Sequence, residues 1–225
     1  MTRTAVRLTL DNLDAIPAPC RSCLFWECDP VRRSRVEDPC TEKEAWVSEV
    51  LREWGSCGRV AVVDDRLVGY VLYAPAGFVP GAAGFATAPV SPDAVLMTTA
   101  YVEPAERGGG VGRMLVRAMA RDLVERDLRA VEAFGDRRRR PASCSVPADF
   151  LSRVGFRTQR DHRTTPRMRM DLRAAVSWKT EVEAALERLV GVVRPPAKPR
   201  RAPGGVPRSG GMPRGGVPRD RPQAR

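Results

Sequence analysis

Four of the five residues from Gly108 to Gly112 are glycine, within the run ERGGGVGRML at 106–115, and the residues that follow are patterned as a helix. Glycine has no Cβ, so a ligand can approach the main chain closely and the backbone can take angles that other residues avoid. At the mouth of a helix, unpaired N–H groups and the positive end of the macrodipole make an anion site, and phosphate is its usual guest. The familiar nucleotide loops do not fit. A P-loop needs Gly, four residues, Gly, Lys and then Ser or Thr, and that spacing is absent. A dinucleotide fingerprint starting at Gly108 would need its third Gly where Arg113 stands, and one starting at Gly110 would need it at Leu115.

The cysteines form a second group with chemical potential. Cys20 and Cys23 have the Cys-x-x-Cys spacing that suits zinc or redox chemistry. Cys28 and Cys40 follow, but no second close pair completes a metal set. The only histidine, His162, stands in RDHRTT among polar residues and reads as a surface position rather than a catalyst.

The elements that must position these residues alternate along the chain. AVRLTL (5–10) alternates like a strand, and residues 11–54 read as helical pieces broken at Pro17, Pro19, Pro30 and Pro39. RVAVVDDRLVGYVLYAP (59–75) reads as a hairpin turning at Asp64 and Asp65. AVLMTTAYVEP (94–104) is a buried-looking strand stopped by Pro104, which has no N–H to continue a ladder. After the glycine loop, Val111, Leu115, Met119 and Leu123 recur every four residues and define one buried helix face. On its other face, Arg121 with Glu125 and Asp122 with Arg126 have the i, i+4 spacing of an exposed surface. LRAVEAFG (128–135) reads as a strand, PADFLSRVGF (147–156) as a short helix ending near Gly155, and PRMRMDL (166–172) as a last strand. A folded domain is expected over 1–193, closed by a capping helix over 172–193 that contains SWKTEVEAALERLV (177–190).

The charge is unevenly spread. The chain carries a net +11, and residues 194–225 hold nine Arg or Lys against one Asp, a net +8, leaving +3 for the rest. This Pro, Gly and Arg-rich segment repeats GGVPR at 204, GGMPR at 210 and GGVPR at 215, and such a composition predicts a disordered tail. Arginine-rich segments neutralise phosphate, so contact with nucleic acid runs through the tail if it occurs. No aromatic residue interleaves the arginines for base stacking, which favours a solvated extension. The N-terminus has no long apolar run, and Asp11 and Asp14 interrupt the place of a signal-peptide core, so a cytoplasmic protein is expected. In a reducing compartment the six cysteines are expected as thiols or ligands rather than disulfides.

Arg107, two residues, Gly110, one residue and Gly112, preceded by the strand end YVEP, resembles the pyrophosphate loop of the GNAT acetyltransferase superfamily. The order of elements over 5–172 and the VGF at 154–156 extend the resemblance. It implies an α+β fold with a central mixed sheet of about six to seven strands flanked by helices. It also implies acetyl-CoA as co-substrate, held without metal by the main chain of Arg107, Gly108, Gly109, Gly110, Val111, Gly112 and Arg113. The family's parting strands place Tyr101 and Val102 along the pantetheine arm, with a strand N–H polarising the thioester carbonyl. The implied activity is direct acetyl transfer to an amine of a small molecule, protein or peptide, by a monomer or homodimer. The alternative is an acetyl-CoA-binding regulatory or interaction module with weak or no catalysis, its tail contacting nucleic acid or a partner.

The sequence departs from the family's proton carriers. Leu151 stands where many members have the Tyr that protonates the leaving thiolate, and Leu96 where many have a Glu base. Glu103, at the end of the same strand, is the candidate for a water relay, with a solvated strand-end carboxylate as the other reading. Cys144 lies in the connection that approaches the CoA sulfur in the family and is the candidate acid, since a thiol titrates near about 8.5; its other reading is a small buried filler. The segment from Cys20 to Cys28 falls where the family builds its acceptor pocket, with LFW (24–26) as an apolar wall. That use competes with a metal site made by Cys20, Cys23, Cys28 and Cys40.

Overall fold

The computed structural model describes residues 2–138 and 144–172. From residue 173 on, the expected capping helix lies outside the described residues, as does the tail at 194–225.

The first strand, β1 (Arg3–Arg7), is shorter than its alternation. Thr9 leaves the sheet, its N–H bonded by the Asn12 side chain at 3.0 Å, and α1 (Leu10–Leu13) begins. The helical pieces are broken at Pro30 and Pro39, and each of these prolines opens the next helix. Each is the first residue of a helix, α2 (Pro30–Arg33) or α3 (Pro39–Glu53), behind an aspartate. Asp29 accepts from the N–H groups of Val31 and Arg32, and Asp38 from those of Cys40 and Thr41. Proline at that position gives up only an N–H that has no intrahelical partner.

The hairpin of β2 (Gly58–Val63) and β3 (Arg66–Ala74) turns at Asp64 and Asp65, both at positive φ, which matches the right-handed twist of its strands. Next come β4 (Ala94–Val102), α4 (Val111–Glu125) and β5 (Ala130–Asp136). The chain ends its described part with β6 (Val146–Pro147), α5 (Ala148–Arg153), β7 (Arg157–Arg160) and β8 (Arg167–Asp171). The sheet runs β1-β2-β3-β4-β5-β8-β7, with β6 on β5. It is antiparallel except at β4–β5 and β5–β6, so it is mixed, and α4 supplies the crossover that parallel neighbours need. The strands beyond the expected number have a simple cause: β6 is two residues long, and the four residues of β7 are all exposed and carry no apolar alternation.

Each face of the sheet buries its own core. Val111, Leu115, Met119 and Leu123 of α4 pack on Val71, Tyr73, Val95, Met97 and Val131, as their spacing requires. The opposite face buries Tyr70, Leu72, Leu96 and Phe134 against Leu13, Ile16, Trp26 and the α3 residues Trp46, Val47 and Val50. Alternation along β3 and β4 thus feeds both layers. The exposed face expected for α4 needs one correction. Asp122 is buried, meeting Arg59 at 2.6 Å and the Tyr73 hydroxyl at 2.7 Å, while Arg126 turns to the Trp54 carbonyl and ring. No helix among the described residues is long and apolar enough to cross a membrane.

Candidate active site

The geometry of the candidate site starts from a parting of strands. β4 pairs with β5 only from Ala94 to Leu96, opposite Ala130 to Glu132. Beyond that, β5 turns to β6 at Gly135 and Asp136, and the rest of β4 is paired only with β3. The cause is local. The β3–β4 register slips between Leu72 and Tyr73, leaving Thr98 as the extra residue, with its hydroxyl donating to the Leu72 carbonyl at 3.2 Å. Such a bulge bends its strand and increases the twist. The edge of β4 that faces β5 therefore opens toward Tyr101 and Val102.

The glycine loop lies at the end of this opened strand. Gly108 and Gly110 sit at φ of 84° and 87°, where a side chain is strained, and a Cβ on either would face open space. Gly112 serves packing instead, because a Cβ there would come within 2.9 Å of the Phe150 ring. Gly110 caps α4 without a side chain, whereas aspartates cap α2 and α3, and the first turn of α4 contains no acid. The first N–H groups of a helix lack intrahelical partners, so Val111, Gly112 and Arg113 present theirs at the positive end of the α4 dipole. Arg107 folds back, its Nε donating to the Val102 carbonyl at 2.9 Å. Arg3, on the distant β1, donates to the Gly109 carbonyl at 2.7 Å. That brace carries no sequence signal.

The segment after β1 comes over the second core and meets the chain beyond β5. Cys23 Sγ and Cys144 Sγ are 3.3 Å apart. The Trp26 indole N–H donates to the Cys144 carbonyl at 2.9 Å, and its ring stacks on Phe85 at 5.0 Å. Below them Lys43 and Glu27 form a buried ion pair, and Lys43 Nζ donates to the Cys23 carbonyl at 2.7 Å. The buried Tyr70 hydroxyl has no hydrogen-bond partner among the described residues, with Cys20 beside it, and its ring stacks on Tyr101 at 5.6 Å. Tyr101 and Cys144 both pack at the border of this core, so the opened strand and the thiol cluster share one face of the sheet.

The two thiols are not equivalent. A hydrogen bond from Cys144 lowers the pKa of Cys23 to about 6 against the opposing effect of burial, with the Phe25 N–H and the Lys43 ammonium adding to the anion's stability. The same bond and then burial push Cys144 well up. Burial raises Cys57 to about 12 and also raises Cys28. Cys40 is exposed at the start of α3, and Cys28 Sγ approaches Glu42 at 4.0 Å. Among the described residues no group of three or more Cys, His, Asp or Glu could hold a metal ion.

The positions that lack the usual proton carriers are closed. Leu96 is buried in the core against α3, and Leu151 in the core against α4. Beside Leu96 in register stands Glu132, fully buried and missed in the sequence because it interrupts an apolar strand. It is held by Arg169 at 3.4 Å, Arg167 at 3.5 Å and the Ser91 N–H at 3.0 Å, a set that gives both carboxylate oxygens a partner inside the protein. Glu103 lies just past β4, its carboxylate 2.6 Å from Arg66 and its N–H bonded to the Val68 carbonyl. His162 organises a turn, its Nδ1 accepting from the N–H groups of Thr164 and Thr165.

Residues 22–146 match the Acetyltransferase (GNAT) family. No curated protein matches the chain. Among solved structures, PaiA N-acetyltransferase from Thermoplasma acidophilum, in complex with coenzyme A, is similar with a TM-score of 0.51 at 12% identity, over 76% of this chain and 99% of that one. An N-acetyltransferase from Staphylococcus aureus Mu50 is similar with a TM-score of 0.51 at 14% identity, again over 76% and 99% of the two chains. At such identities the likeness concerns the fold.

Proposed function

We propose that this chain, which belongs to the acetyltransferase (GNAT) family, transfers the acetyl group of acetyl-CoA directly to an amine of a small molecule, protein or peptide. The observation that carries the reading is the uncapped N-terminus of α4 at the end of a strand that parts from its neighbour. The pyrophosphate is assigned to the main chain of Arg107–Arg113, where N–H groups and the helix dipole favour its charge without a metal. The pantetheine arm is assigned to the open edge of β4 at Tyr101 and Val102. Arg107 occupies the Val102 carbonyl, and the N–H groups of this edge are the donors assigned to polarise the thioester carbonyl.

The amine nitrogen attacks the carbonyl carbon, the C–S bond breaks, and the ammonium proton leaves to solvent through a water relay. Glu103, paired with Arg66 at 2.6 Å, is the carboxylate assigned to that relay. Cys144 is assigned as the donor to the departing CoA sulfur. The acceptor side is assigned to the segment from Cys20 to Cys28, which shares a face with Tyr101. The test is CoA release from acetyl-CoA against a panel of amines, with the acetylated product identified by mass. Binding of acetyl-CoA with no product from any amine class would sink the transferase reading.

A second reading is an acetyl-CoA-binding module with little chemistry, its basic tail engaging nucleic acid or a partner. What favours it is the pair of buried leucines, Leu96 and Leu151, at the family's usual proton-carrier positions. The same assay separates the two readings.

A further inference from the structure

We propose that Cys23 and Cys144 form a reversible disulfide site, a two-thiol device that joins the segment after β1 to the chain beyond β5. The sulfurs are 3.3 Å apart although 121 residues separate them in sequence. A disulfide bond is about 2.0 Å long, so closure asks for little more than an ångström of movement. Both residues are held from other directions. The Cys144 carbonyl is fixed by the Trp26 indole and the Cys23 carbonyl by the buried Lys43, so the two thiols are kept facing each other rather than meeting by chance. Both are partly exposed, which gives an oxidant access, whereas Cys28 and Cys57 are buried.

The chemistry balances with a peroxide as oxidant. The Cys23 thiolate, favoured by the Phe25 N–H, by Lys43 and by the Cys144 S–H, attacks one oxygen of hydrogen peroxide. An S–O bond forms, the O–O bond breaks, and hydroxide leaves to become water, so Cys23 becomes a sulfenic acid. The Cys144 sulfur then attacks the Cys23 sulfur. The S–S bond forms, the S–O bond breaks, and hydroxide leaves with the proton of Cys144 as a second water. Two thiols lose two electrons, and one peroxide gains them. A dithiol reductant reverses the change by thiol–disulfide exchange. Cys144 is the resolving partner because it is the thiol that keeps its proton until Cys23 has been oxidised.

The test treats the full chain with stoichiometric hydrogen peroxide, blocks remaining thiols with iodoacetamide and maps peptides without reduction. The expected result is loss of two of the six thiols, one intrachain Cys23–Cys144 linkage, and full recovery with dithiothreitol. In Cys144→Ser, the sulfenic acid at Cys23 persists and is trapped by dimedone; in Cys23→Ser, neither the linkage nor the adduct at 144 forms. The wild-type map decides alone if either variant fails to fold. A Cys20–Cys23 linkage, a linkage between two chains, or Cys23 and Cys144 remaining open to iodoacetamide after peroxide would each overturn the proposal.

Discussion

The Arg59 guanidinium of β2 meets the Asp122 carboxylate of α4 at 2.6 Å, inside the protein, with the Tyr73 hydroxyl donating to the same carboxylate. This pair docks the helix that carries the glycine loop onto the sheet. Removing one partner of a buried pair leaves the other charge unpaired and costs about 3–5 kcal/mol. Asp122→Ala is therefore expected to lower the melting temperature by about 6–12 °C, taking roughly 2–4 °C per kcal/mol for a domain of this size and the lower end of that cost. Arg59→Met combined with Asp122→Leu removes both charges and should recover much of the loss in a thermal melt. Equal losses in single and double variants would mean that packing volume, not charge, sets the cost.

Gly110→Glu is expected to lower acetyl-CoA affinity at least tenfold by calorimetry. The side chain brings negative charge to the end of α4, at a φ of 87° that only glycine adopts without strain. The space around Gly110 is open, so the fold should tolerate the change with a small fall in melting temperature. Unchanged affinity would remove the loop from the cofactor site.

Alkylation by iodoacetamide should single out Cys23. A thiol with a pKa of about 6 is mostly thiolate at neutral pH. Its rate should be level above pH 7 and fall tenfold per unit below about 6. The sign follows from its main cause: Cys144→Ala removes a hydrogen bond to the anion, so the midpoint must move up toward the ordinary thiol value. Cys57, at about 12, should stay unmodified in the folded protein. A midpoint for Cys23 near 8.5 in the wild type would contradict the hydrogen-bonded thiolate.

Truncation after Val193 takes the net charge from +11 to +3. The expected outcome is an unchanged thermal transition and unchanged acetyl transfer, because the removed segment has few apolar side chains to dock. Salt-sensitive binding of single-stranded nucleic acid that disappears on truncation would favour the interaction-module reading.

The sequence spoke clearly where one local pattern decided the outcome. The apolar spacing of α4, the Asp64–Asp65 turn and the glycine run each specify structure from a few neighbouring residues. It was silent where distant residues act together. Asp122 looks like a surface partner of Arg126 by spacing, yet Arg59, brought by a different strand, draws it inside. Glu132 is hidden in an apolar strand because the two arginines that make its burial tolerable belong to β8. The meeting of Cys23 with Cys144 is a property of the chain path, and no spacing rule announces it. The prolines divide the helical pieces as read, and what the sequence left unsaid is that Pro30 and Pro39 open the next helix behind an aspartate cap.

The contact of Arg3 with Gly109 ties the behaviour of the glycine loop to an outer strand. β1 lies at the edge of the sheet with four of its five residues exposed, the kind of element that frays first. Each opening of β1 withdraws the guanidinium from the Gly109 carbonyl and from Glu106. A ligand that prefers the braced loop must, by reciprocity, hold the strand closed. Amide hydrogen exchange along Arg3–Arg7 should therefore slow when acetyl-CoA is added, although the loop proposed for its phosphates lies some 106 residues further along the chain. In Arg3→Ala that protection should vanish while protection within α4 remains.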